Sequence, residues 1–578
     1  MSYSFALTHP TATIANTIES IVIEGENSEN FIYQSGCKVL SRAISLTVFP
    51  IFLLLELTFK RVPNLLLSIT DAEKFDKRAD KVVKYILGFL FSPLGLHSPE
   101  GVSGLFLKSP PSSSIRPFGV ELEYGKAVDR IFYPRNEVEL QNIIQQAKKS
   151  KKQVSIIGAG MSQGTQTTPK DPHQVVINTK YLDKIEIAKD GKSVKVQSGA
   201  NWEQLQILLN KNGKSSIVKQ ASDPFSIGGS IGINCHGWAH EHGAISSTVK
   251  ELEIIDANGN LRTITPKDEL FGCMFGTLGY FGVIVSATLD IVDNECLIEK
   301  TEEVEIDDFV PFYENNIKGK DIPLFGGRLV VDSFEGNPLR KAYMVYYQKD
   351  KKANDSLLLR KERDFTAEPK YGKRIERIAL RLIAHLSNFS VKRLLNWLWS
   401  REVGMMFEGR RLTRNEALHP PINAFKMLHH SNLHTQWLQE YFIKKENLPD
   451  FLRFLGNELQ ENDVRLINAT IRPTPKDNIS ILPYAEQDRY AVVICFSQLK
   501  TKKAIAHTKK WIDKVNDRLI KSGDVYYHAY MPYVTREQFE ECYGKDTVQK
   551  LRRLKERYDP SGVFGNEYTA KYFDIRRN

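Results

Sequence analysis

The densest group of side chains able to do acid–base chemistry lies between Phe225 and Gly243, where three histidines and a cysteine stand among glycines. An imidazole titrates near neutral pH, so it accepts or donates protons under physiological conditions. Glycine has no Cβ, so a glycine-rich backbone can lie directly against a flat or charged ligand. The segment therefore predicts a ligand-binding wall, and His236 is its first candidate for proton transfer.

The same segment carries four side chains of types that bind zinc, namely Cys235, His236, His240 and His242. Their order is not H-E-x-x-H, and no second cluster of ligands is visible elsewhere in the chain. The flanking glycines already have an explanation in the close approach of a ligand. We therefore predict no metal site.

A second glycine-rich loop, Gly158–Gly164, directly follows the apolar run Val154–Ile157. A loop that leaves a buried strand can present successive backbone N–H groups to an anion such as phosphate. Its sequence is neither the dinucleotide pattern G-x-G-x-x-G nor the phosphate loop G-x-x-x-x-G-K-[ST]. The loop residues alone leave a purely structural turn open as the alternative.

Short apolar strands alternate with helices around these two segments, which predicts an α+β domain. Asn136 is a candidate N-cap, with Glu139 completing a capping box. Asp190-Gly191 and Asn258-Gly259 predict hairpins, the latter with a type I′ turn that needs positive φ at both central residues. The predicted elements are strands at Arg130–Tyr133, Val154–Ile157, Val175–Asn178, Ile185–Ala188, Val194–Ser198, Leu252–Asp256, Leu261–Thr265 and Gly282–Ile291, and helices at Glu137–Lys149 and Trp202–Lys211.

Length and composition predict a multidomain globular protein, since 578 residues exceed one ordinary core and 42% of them are apolar. The net charge of +10 is spread over 79 basic and 69 acidic residues, and without a basic tract we predict no nucleic-acid binding. Six cysteines without a C-x-x-C pair favour a reducing compartment. No secretory signal is visible, so we expect the cytoplasmic side.

Residues 38–100 carry three apolar blocks, Ile44–Leu55, Val62–Ile69 and Tyr85–Leu96. The first is shorter than the ~20 apolar residues of a spanning helix. Lys60 and Arg61 beside an apolar stretch are typical of a membrane-surface anchor. The segment predicts an apolar helical N-terminal extension that contacts a membrane, and a helical subdomain packed on the rest is the alternative.

The order of these segments resembles the FAD-binding domain of the vanillyl-alcohol oxidase and p-cresol methylhydroxylase superfamily, and Arg557–Tyr568 is similar to its closing motif. The glycine run with His236-Gly237 is most similar to sugar-alcohol, aldonolactone and decaprenylphosphoryl-ribose oxidases. The Pro/Ser run Ser109–Ser114 predicts a linker at the end of the N-terminal extension. The resemblance implies that a two-subdomain PCMH-type FAD-binding domain, an α+β substrate-binding cap and a C-terminal segment returning to the FAD domain follow it. These regions span residues 1–114, 115–295, 296–535 and 536–578.

The resemblance makes FAD the cofactor, with Gly158–Gly164 around its pyrophosphate, Ile227–Gly243 beside its ring and ribityl chain, and Gly276–Gly282 helping to bury it. The cofactor-binding residues it implies are Gly158, Ala159, Gly160, Met161, Ser162, Gln163, Gly228, Gly229, Ser230, Asn234, His236, Gly237, His242, Gly243, Val283 and Asn566. Relatives with an 8α-histidyl flavin carry histidine where Met161 stands. A thioether cannot form that bond, and Cys235 follows the glycines where cysteinyl-linked relatives have their thiol before them, so we expect non-covalent FAD.

Four residues are predicted to be catalytic, namely His236, Arg472, His528 and Tyr526. His236 either accepts the hydroxyl proton while hydride leaves the substrate carbon, or only hydrogen-bonds the cofactor or the loop. Both interpretations remain open from the residues alone. His240 and His242 are expected to shape the loop.

Two segments of the expected cap depart from the relatives they resemble. Arg472 falls where sugar-alcohol oxidases have an arginine, but Thr470 replaces their acidic residue, and a surface arginine on a strand is the alternative. Ala529 takes the place of an essential lysine of the ribose-oxidising relatives. His528, Tyr526 or Tyr530 is expected to face the ring instead, and strand alternation allows only one parity to do so.

The predicted function is FAD-dependent oxidation of a carbinol group by hydride transfer to flavin N5. The resemblance points to a polyol, sugar, lactone or lipid-linked sugar as the substrate. One alternative is a membrane-associated, FAD-dependent reductase of carbon–carbon double bonds similar to sterol side-chain reductases. Another is a non-catalytic protein that keeps the fold. The sequence does not fix the electron acceptor or the oligomeric state.

Overall fold

The computed structural model describes residues 114–115, 126–127, 130–221, 223–331, 337–350, 409–418, 434–499, 502–531 and 533–574. The predicted N-terminal extension and its membrane contact lie outside these residues. Ser114, which we predicted as the last residue of the linker, begins a short strand instead. The described part mixes helices and sheets, so the predicted α+β class is confirmed.

The strands follow one another along the chain from residue 114 to residue 526. They are β1 (Ser114–Ile115), β2 (Lys126–Ala127), β3 (Ile131–Phe132), β4 (Val154–Ile157), β5 (Val175–Asn178), β6 (Ile185–Ile187), β7 (Ser193–Gln197), β8 (Lys214–Ser216), β9 (Val249–Ile255), β10 (Leu261–Ile264), β11 (Val283–Asp293), β12 (Cys296–Glu305), β13 (Leu324–Leu329), β14 (Lys341–Lys349), β15 (Arg411–Thr413), β16 (His434–Ile443), β17 (Arg465–Thr474), β18 (Arg489–Leu499) and β19 (Val525–Tyr526).

The α-helices range from four to 21 residues, and the longest, Lys502–Ser522, lies in the second half of the described chain. They are α1 (Glu137–Lys149), α2 (Trp202–Lys211), α3 (Ile227–Gly232), α4 (Glu269–Gly272), α5 (Phe309–Asn316), α6 (Arg414–Ala417), α7 (Leu448–Glu461), α8 (Lys502–Ser522), α9 (Arg536–Tyr543), α10 (Lys545–Tyr558) and α11 (Glu567–Tyr572). Among these described helices, none combines the length and the hydropathy needed to cross a membrane.

A three-stranded parallel sheet of order β3-β5-β4 packs against α1. The helix buries Leu140 and Ile144, four residues apart on one face. Asn136 caps it as predicted, since its side chain accepts the Glu139 N–H at 2.9 Å. The predicted capping box is wrong in its second half, because the Glu139 carboxylate accepts the N–H of Arg135 rather than that of Asn136.

A six-stranded antiparallel sheet has the order β10-β9-β11-β7-β6, with β8 pairing to the end of β11. The predicted hairpin at Asn258-Gly259 joins β9 to β10, but its predicted type I′ turn is wrong. Gly259 has φ of 78°, whereas Asn258 has no positive φ. The loop has five residues, and the Asp256 carboxylate organises it by accepting the N–H groups of Asn258 at 2.9 Å and Asn260 at 3.0 Å.

An eight-stranded antiparallel sheet, of order β15-β12-β14-β13-β17-β18-β16-β19, forms the centre of residues 296–535, the region that we call the cap. Three of its long strands, β16, β17 and β18, lie side by side, so their register decides which side chains share a face. In β13, a Cβ at Gly326 would lie 2.6 Å from the Trp238 ring. The glycine therefore makes room for a side chain from the glycine-rich segment.

The end of the described chain returns to the beginning of the parallel sheet. Phe564 forms a parallel bridge with Val154, and the Gly565 N–H donates to the Val154 carbonyl at 3.0 Å. Lys555 is buried there, with Nζ 2.7 Å from both the Asp559 carboxylate and the Phe564 carbonyl. Burial lowers the pKa of Lys555, and the Asp559 charge opposes that shift. This buried ion pair fixes the path of the returning chain.

Candidate functional site

A cleft of about 1160 Å³, counted with its solvent-open mouth, lies where the three-stranded and the six-stranded sheets meet the cap. Most of its wall comes from the loop after β4, from α3 and from the segment before β11, and the cap adds one side. The lining residues are Ile156, Gly158, Ala159, Gly160, Met161, Ser162, Gln163, Gln166, Thr167, Thr179, Ser198, Gln220, Phe225, Ser226, Gly228, Gly229, Ser230, Gly232, Ile233, Met274, Leu278, Gly279, Gly282, Ile284, Leu438, Ala529 and Tyr530.

The loop after β4 turns its backbone toward this cleft. Ala159 N–H donates to Ser226 Oγ at 3.2 Å, whereas the N–H groups of Gly160, Met161 and Ser162 donate to no group in the described chain. A Cβ at Gly158 would lie 2.0 Å from Ser226 Oγ, so only glycine allows this approach. Backbone donors grouped in this way suit a phosphate.

The short helix α3 forms the facing wall, with Ser226 as its N-cap. A Cβ at Gly228 would lie 2.6 Å from Ser198 Cβ, so this glycine packs tightly against the neighbouring strand. Gly232 differs, because a Cβ there meets no atom within 4 Å and the residue lines the cleft. The absence of a side chain at Gly232 therefore keeps space for a ligand.

These features fit the FAD that the sequence predicts. The N–H groups of Gly160, Met161 and Ser162 are unpaired in the described chain, and Gly232 presents no side chain to the cleft. Gly279 and Gly282, from the glycine segment expected to bury the cofactor, also line it. FAD would be held by the loop Gly158–Gln163 through its phosphates and by α3 beside its flat part.

Nine of the sixteen predicted cofactor-binding residues line the cleft, namely Gly158, Ala159, Gly160, Met161, Ser162, Gln163, Gly228, Gly229 and Ser230. The other seven do not line it, and they are Asn234, His236, Gly237, His242, Gly243, Val283 and Asn566. Their predicted contact with FAD stays a prediction. The structure shows other contacts for several of them.

Asn234 and Asn566 organise the backbone behind the cleft wall. Asn234 has φ of 52°, and its side-chain amide donates to Asp477 at 2.8 Å. Asn566 caps α11 and donates to the Leu278 carbonyl at 3.2 Å, and Leu278 itself lines the cleft. Val283 is fully buried in the core. These residues therefore position lining residues.

The cap contributes three lining residues that lie far along the chain, Leu438, Ala529 and Tyr530. The Leu438 N–H donates to Gln163 Oε1 at 2.9 Å. Gln166 Nε2 lies 3.1 Å from the Ala529 carbonyl and 3.2 Å from the Tyr530 carbonyl. No local signal marks Leu438, whose part in the wall follows only from the docking of the cap.

His236 lies behind the wall, 6% exposed, with Nε2 in contact with the Glu440 carboxylate. A carboxylate only accepts, so Nε2 carries the hydrogen, and in the neutral imidazole Nδ1 is then the acceptor. Nδ1 is buried and has no partner in the described chain. The His236 ring packs 6.2 Å from that of Tyr527, which packs 5.6 Å from that of Tyr530 in the wall.

Arg472 projects from β17 beside the same wall. Its guanidinium lies 5.6 Å from the Trp238 ring, and its buried Nε has no hydrogen-bond partner in the described chain. Burial lowers the pKa of Arg472, and the charge of Glu440 and the Tyr530 phenol oppose that shift. A partly buried cation whose Nε donor has no partner in the described chain is suited to bind an oxygen of a ligand.

His528 and Tyr526 lie apart from the cleft lining. The strand ends at Tyr526, and a turn rather than strand parity brings Tyr530 to the wall. His528 is fully buried, with Nε2 2.6 Å from the Gly276 carbonyl and Nδ1 2.9 Å from the Tyr543 hydroxyl. The catalytic roles of His528 and Tyr526 stay predictions, and these contacts are those of a structural core.

Burial lowers the pKa of His528 from its usual 6.5 to about 4, although the Gly276 carbonyl opposes the shift. Between these pH values the unfolded chain binds a proton that the folded chain does not. The contribution of His528 to stability is therefore complete above about pH 6.5 and is lost as the pH falls toward 4. Between pH 7.5 and pH 5, we expect the free energy of unfolding of the wild type to fall by about 2 kcal/mol more than that of His528→Gln.

Urea unfolding of the wild type and of His528→Gln at both pH values measures this difference. The variant keeps an N–H donor for Gly276, so its stability at pH 7.5 gives the cost of the substitution itself. Equal pH dependence in the two proteins would contradict a neutral, buried His528.

Within the described residues, no His or Cys lines the cleft, and Met161 stands in its wall. Burial raises the pKa of the Cys235 thiol to about 12, so the thiol is protonated at neutral pH. No group of three or more His, Cys, Asp or Glu side chains in the described ranges is arranged to hold a metal ion. His240, one of the residues weighed as a ligand, lies with Nε2 2.8 Å from the Ile322 carbonyl.

Two family models match this chain. Residues 128–265 match a model described as "FAD binding domain". Residues 341–572 match a model described as "D-arabinono-1,4-lactone oxidase". The first match contains the loop after β4 and α3, and the second contains Glu440, Arg472 and Tyr530.

Individual proteins are also similar to this chain. An L-gulonolactone oxidase of Bos taurus is 22% identical over 466 residues, which are 78% of this chain and 96% of that protein. A D-arabinono-1,4-lactone oxidase of Yarrowia lipolytica is 30% identical over 168 residues, 28% of this chain and 31% of that protein. One of Saccharomyces cerevisiae is 27% identical over 188 residues, 31% of this chain and 35% of that protein.

Proposed function

We propose that this chain, an FAD-dependent oxidoreductase that carries an FAD-binding domain of the vanillyl-alcohol oxidase and p-cresol methylhydroxylase type, oxidises the carbinol group of an aldonolactone or a related sugar. The observation that carries the proposal is the buried Nε of Arg472, which has no hydrogen-bond partner in the described chain and belongs to a guanidinium whose charge acts on Tyr530 in the cleft wall. FAD, when bound, accepts the hydride that leaves the carbinol carbon.

Arg472 binds and orients the substrate in this proposal. A guanidinium presents its donors as a planar fork, so it can hold two neighbouring oxygens of a lactone or polyol. The Trp238 ring beneath it limits where the fork can point. Tyr530, which lines the cleft, offers a hydroxyl on the same side.

His236 is the proton acceptor in this proposal. Oxidation of a carbinol breaks one C–H and one O–H bond and forms a carbonyl, so the protein must take one proton for each hydride transferred. Nδ1 of His236 is an acceptor without a partner in the described chain. Because His236 does not line the cleft, the proton reaches it through the Tyr530 hydroxyl or a water.

Two further observations support a lactone or sugar. Two relatives that this chain matches over 96% of their length are L-gulonolactone oxidases, and residues 341–572 match the D-arabinono-1,4-lactone oxidase model. The cleft wall near the cap mixes apolar Leu438 and Ala529 with the polar Tyr530 and Gln163. A wall of this kind suits a compact polar substrate next to a flat cofactor.

Anaerobic titration of the purified flavoprotein with a panel of donors tests the proposal. We expect aldonolactones or sugars of similar size to bleach the visible flavin absorbance, and the bleached protein to regain it with an added acceptor. Bleaching of the flavin by NADPH, but not by any lactone, sugar or polyol, would contradict the proposal and favour the double-bond reductase. Polyols without a ring serve as controls for the role of the lactone.

A further inference from the structure

We propose that Glu440 is a positioning residue of this site, which holds the His236 imidazole and the Arg472 guanidinium in the arrangement that turnover needs. The proposal rests on the proposed function, because it assigns a role in that reaction. Glu440 lies in the middle of β16, and no sequence motif marks it.

The register of the cap sheet places Glu440 and Arg472 on one face. Glu440 and Thr470 both pair with Val493 of β18, and Arg472 pairs with Ala491, two residues earlier on that strand. Directly paired residues of antiparallel strands point to the same face, as do residues two apart on one strand. The axes of β16 and β17 are roughly 10 Å apart, a gap that two long side chains can cross. The small Ala491 leaves space between them.

The same face of β16 leads to the cleft. Leu438, two residues before Glu440, lines the cleft, whereas Gln439 points the other way and donates to the Met531 carbonyl at 2.9 Å. Glu440 is 3% exposed, and its Oε1 contacts His236 Nε2. The carboxylate therefore sits directly behind the wall, between the glycine-rich segment and the cap.

Glu440 acts on three groups of the site, namely Arg472, Tyr530 and His236. It opposes the lowering of the Arg472 pKa that burial causes. Burial and, after it, the Glu440 charge raise the pKa of Tyr530 well above its ordinary value, so the phenol stays neutral. The contact with His236 fixes which ring nitrogen carries the hydrogen.

A buried carboxylate is tolerated where N–H donors and positive charge compensate for lost water. His236, from the glycine-rich segment, supplies the donor, and Arg472, from the cap, supplies the charge. Glu440 thus connects the proton acceptor to the substrate-binding cation across the two parts of the site. Removing its charge while keeping its shape should disturb proton transfer through His236 more than substrate binding, because the carboxylate contacts His236 directly and acts on Arg472 only through its charge.

Glu440→Gln makes this change, since the amide oxygen can still accept the His236 N–H. We expect kcat to fall roughly 30- to 100-fold and KM to change less than about 3-fold, with flavin content and Tm retained. The donor is whichever compound bleaches the wild-type flavin. A kcat within about 3-fold of wild type, or an equal loss in kcat and flavin content, would overturn the proposal.

Glu440→Asp keeps the charge on a shorter side chain, and we expect it to recover part of the kcat that Glu440→Gln loses. If Glu440→Gln does not fold, the kcat of Glu440→Asp alone tests the proposal. An intact flavoprotein with kcat roughly 5- to 10-fold below wild type supports the proposal, and unchanged kcat overturns it. Glu458→Gln is the matched control, because Glu458 is a buried carboxylate paired with Lys514 on helices outside the cleft lining, and its kcat should stay within about 2-fold.

A second readout does not depend on turnover. The Tm values of Glu440→Gln, Arg472→Met and the double variant form a double-mutant cycle, which we expect to be non-additive because the two charges interact. If no donor bleaches the wild-type flavin, the proposed function fails while this cycle still tests the coupling. Additive Tm changes would overturn the role of Glu440 whichever substrate is found.

Discussion

Replacing Arg472 by Met is expected to lower kcat/KM roughly 100- to 1,000-fold, about 3 to 4 kcal/mol of transition-state binding. The loss should appear mainly in KM, because the guanidinium fork is the group we assign to hold the substrate oxygens. Methionine fills similar space without the charge. Steady-state kinetics with the donor found in the anaerobic titration measures the effect.

The charges of Arg472 and Glu440 set the expected effect on stability. Arg472 has a buried Nε without a partner in the described chain, which opposes folding, but its charge also compensates that of the buried Glu440 carboxylate. We therefore expect Arg472→Met to lower Tm, and adding Glu440→Gln to recover part of that loss. Arg411→Met, at a half-exposed arginine paired with Asp350 on a strand of the same sheet, is the control and should leave kcat/KM within about 2-fold. A loss of flavin content in Arg472→Met as large as its loss of kcat/KM would contradict a substrate-binding role for Arg472.

Replacing Gly232 by Val is expected to lower FAD affinity roughly 100-fold, because the added side chain would occupy ligand space. Gly232 lies at the end of α3 without a positive φ, and its missing Cβ meets no protein atom within 4 Å. The apoprotein should therefore fold as well as the wild type. Flavin content after purification and titration of the apoprotein with FAD measure the loss.

The graded control is Gly232→Ala, which adds one carbon and should reduce FAD affinity less than valine does. A Gly232→Val variant with normal flavin content would place the cofactor elsewhere.

Wild-type protein is expected to release its flavin to the supernatant on acid precipitation, because Met161 stands where a histidyl link would form. Colour left in the pellet would refute the non-covalent assignment.

Much of the first half of the fold was predictable from local patterns. Helices at Glu137–Lys149 and Trp202–Lys211 and strands at Val154–Ile157 and Val175–Asn178 form as predicted, since apolar spacing and capping residues act within a few positions. The predicted type I′ turn at Asn258-Gly259 is wrong, because the Asp256 side chain, which lies outside the dipeptide, organises a longer loop. Turn type depends on such neighbours, which a two-residue pattern ignores.

The candidate site was predictable in part. The glycine-rich loop and α3 carry their own signal, since only glycine allows backbone to approach a ligand so closely. Glu440 and Leu438 carry none, because their meeting with His236 and Gln163 depends on strand register and on docking across more than 200 residues. His528 shows a related dependence on tertiary structure, since a histidine that faces the ring and a buried structural histidine look the same in sequence. The structure buries it fully, and its catalytic role stays a prediction.

The bridge between Val154 and Phe564 also has a consequence for the order of events during synthesis. The strand that leads into the phosphate-facing loop leaves the ribosome about 400 residues before the segment that pairs with its edge. Until Lys555 and Asp559 are made and buried, that edge lacks its last partner. We therefore expect the edge of β4 to be completed only after the segment that carries Phe564 has been synthesised, and a chain that lacks this segment to leave the loop after β4 without its full support.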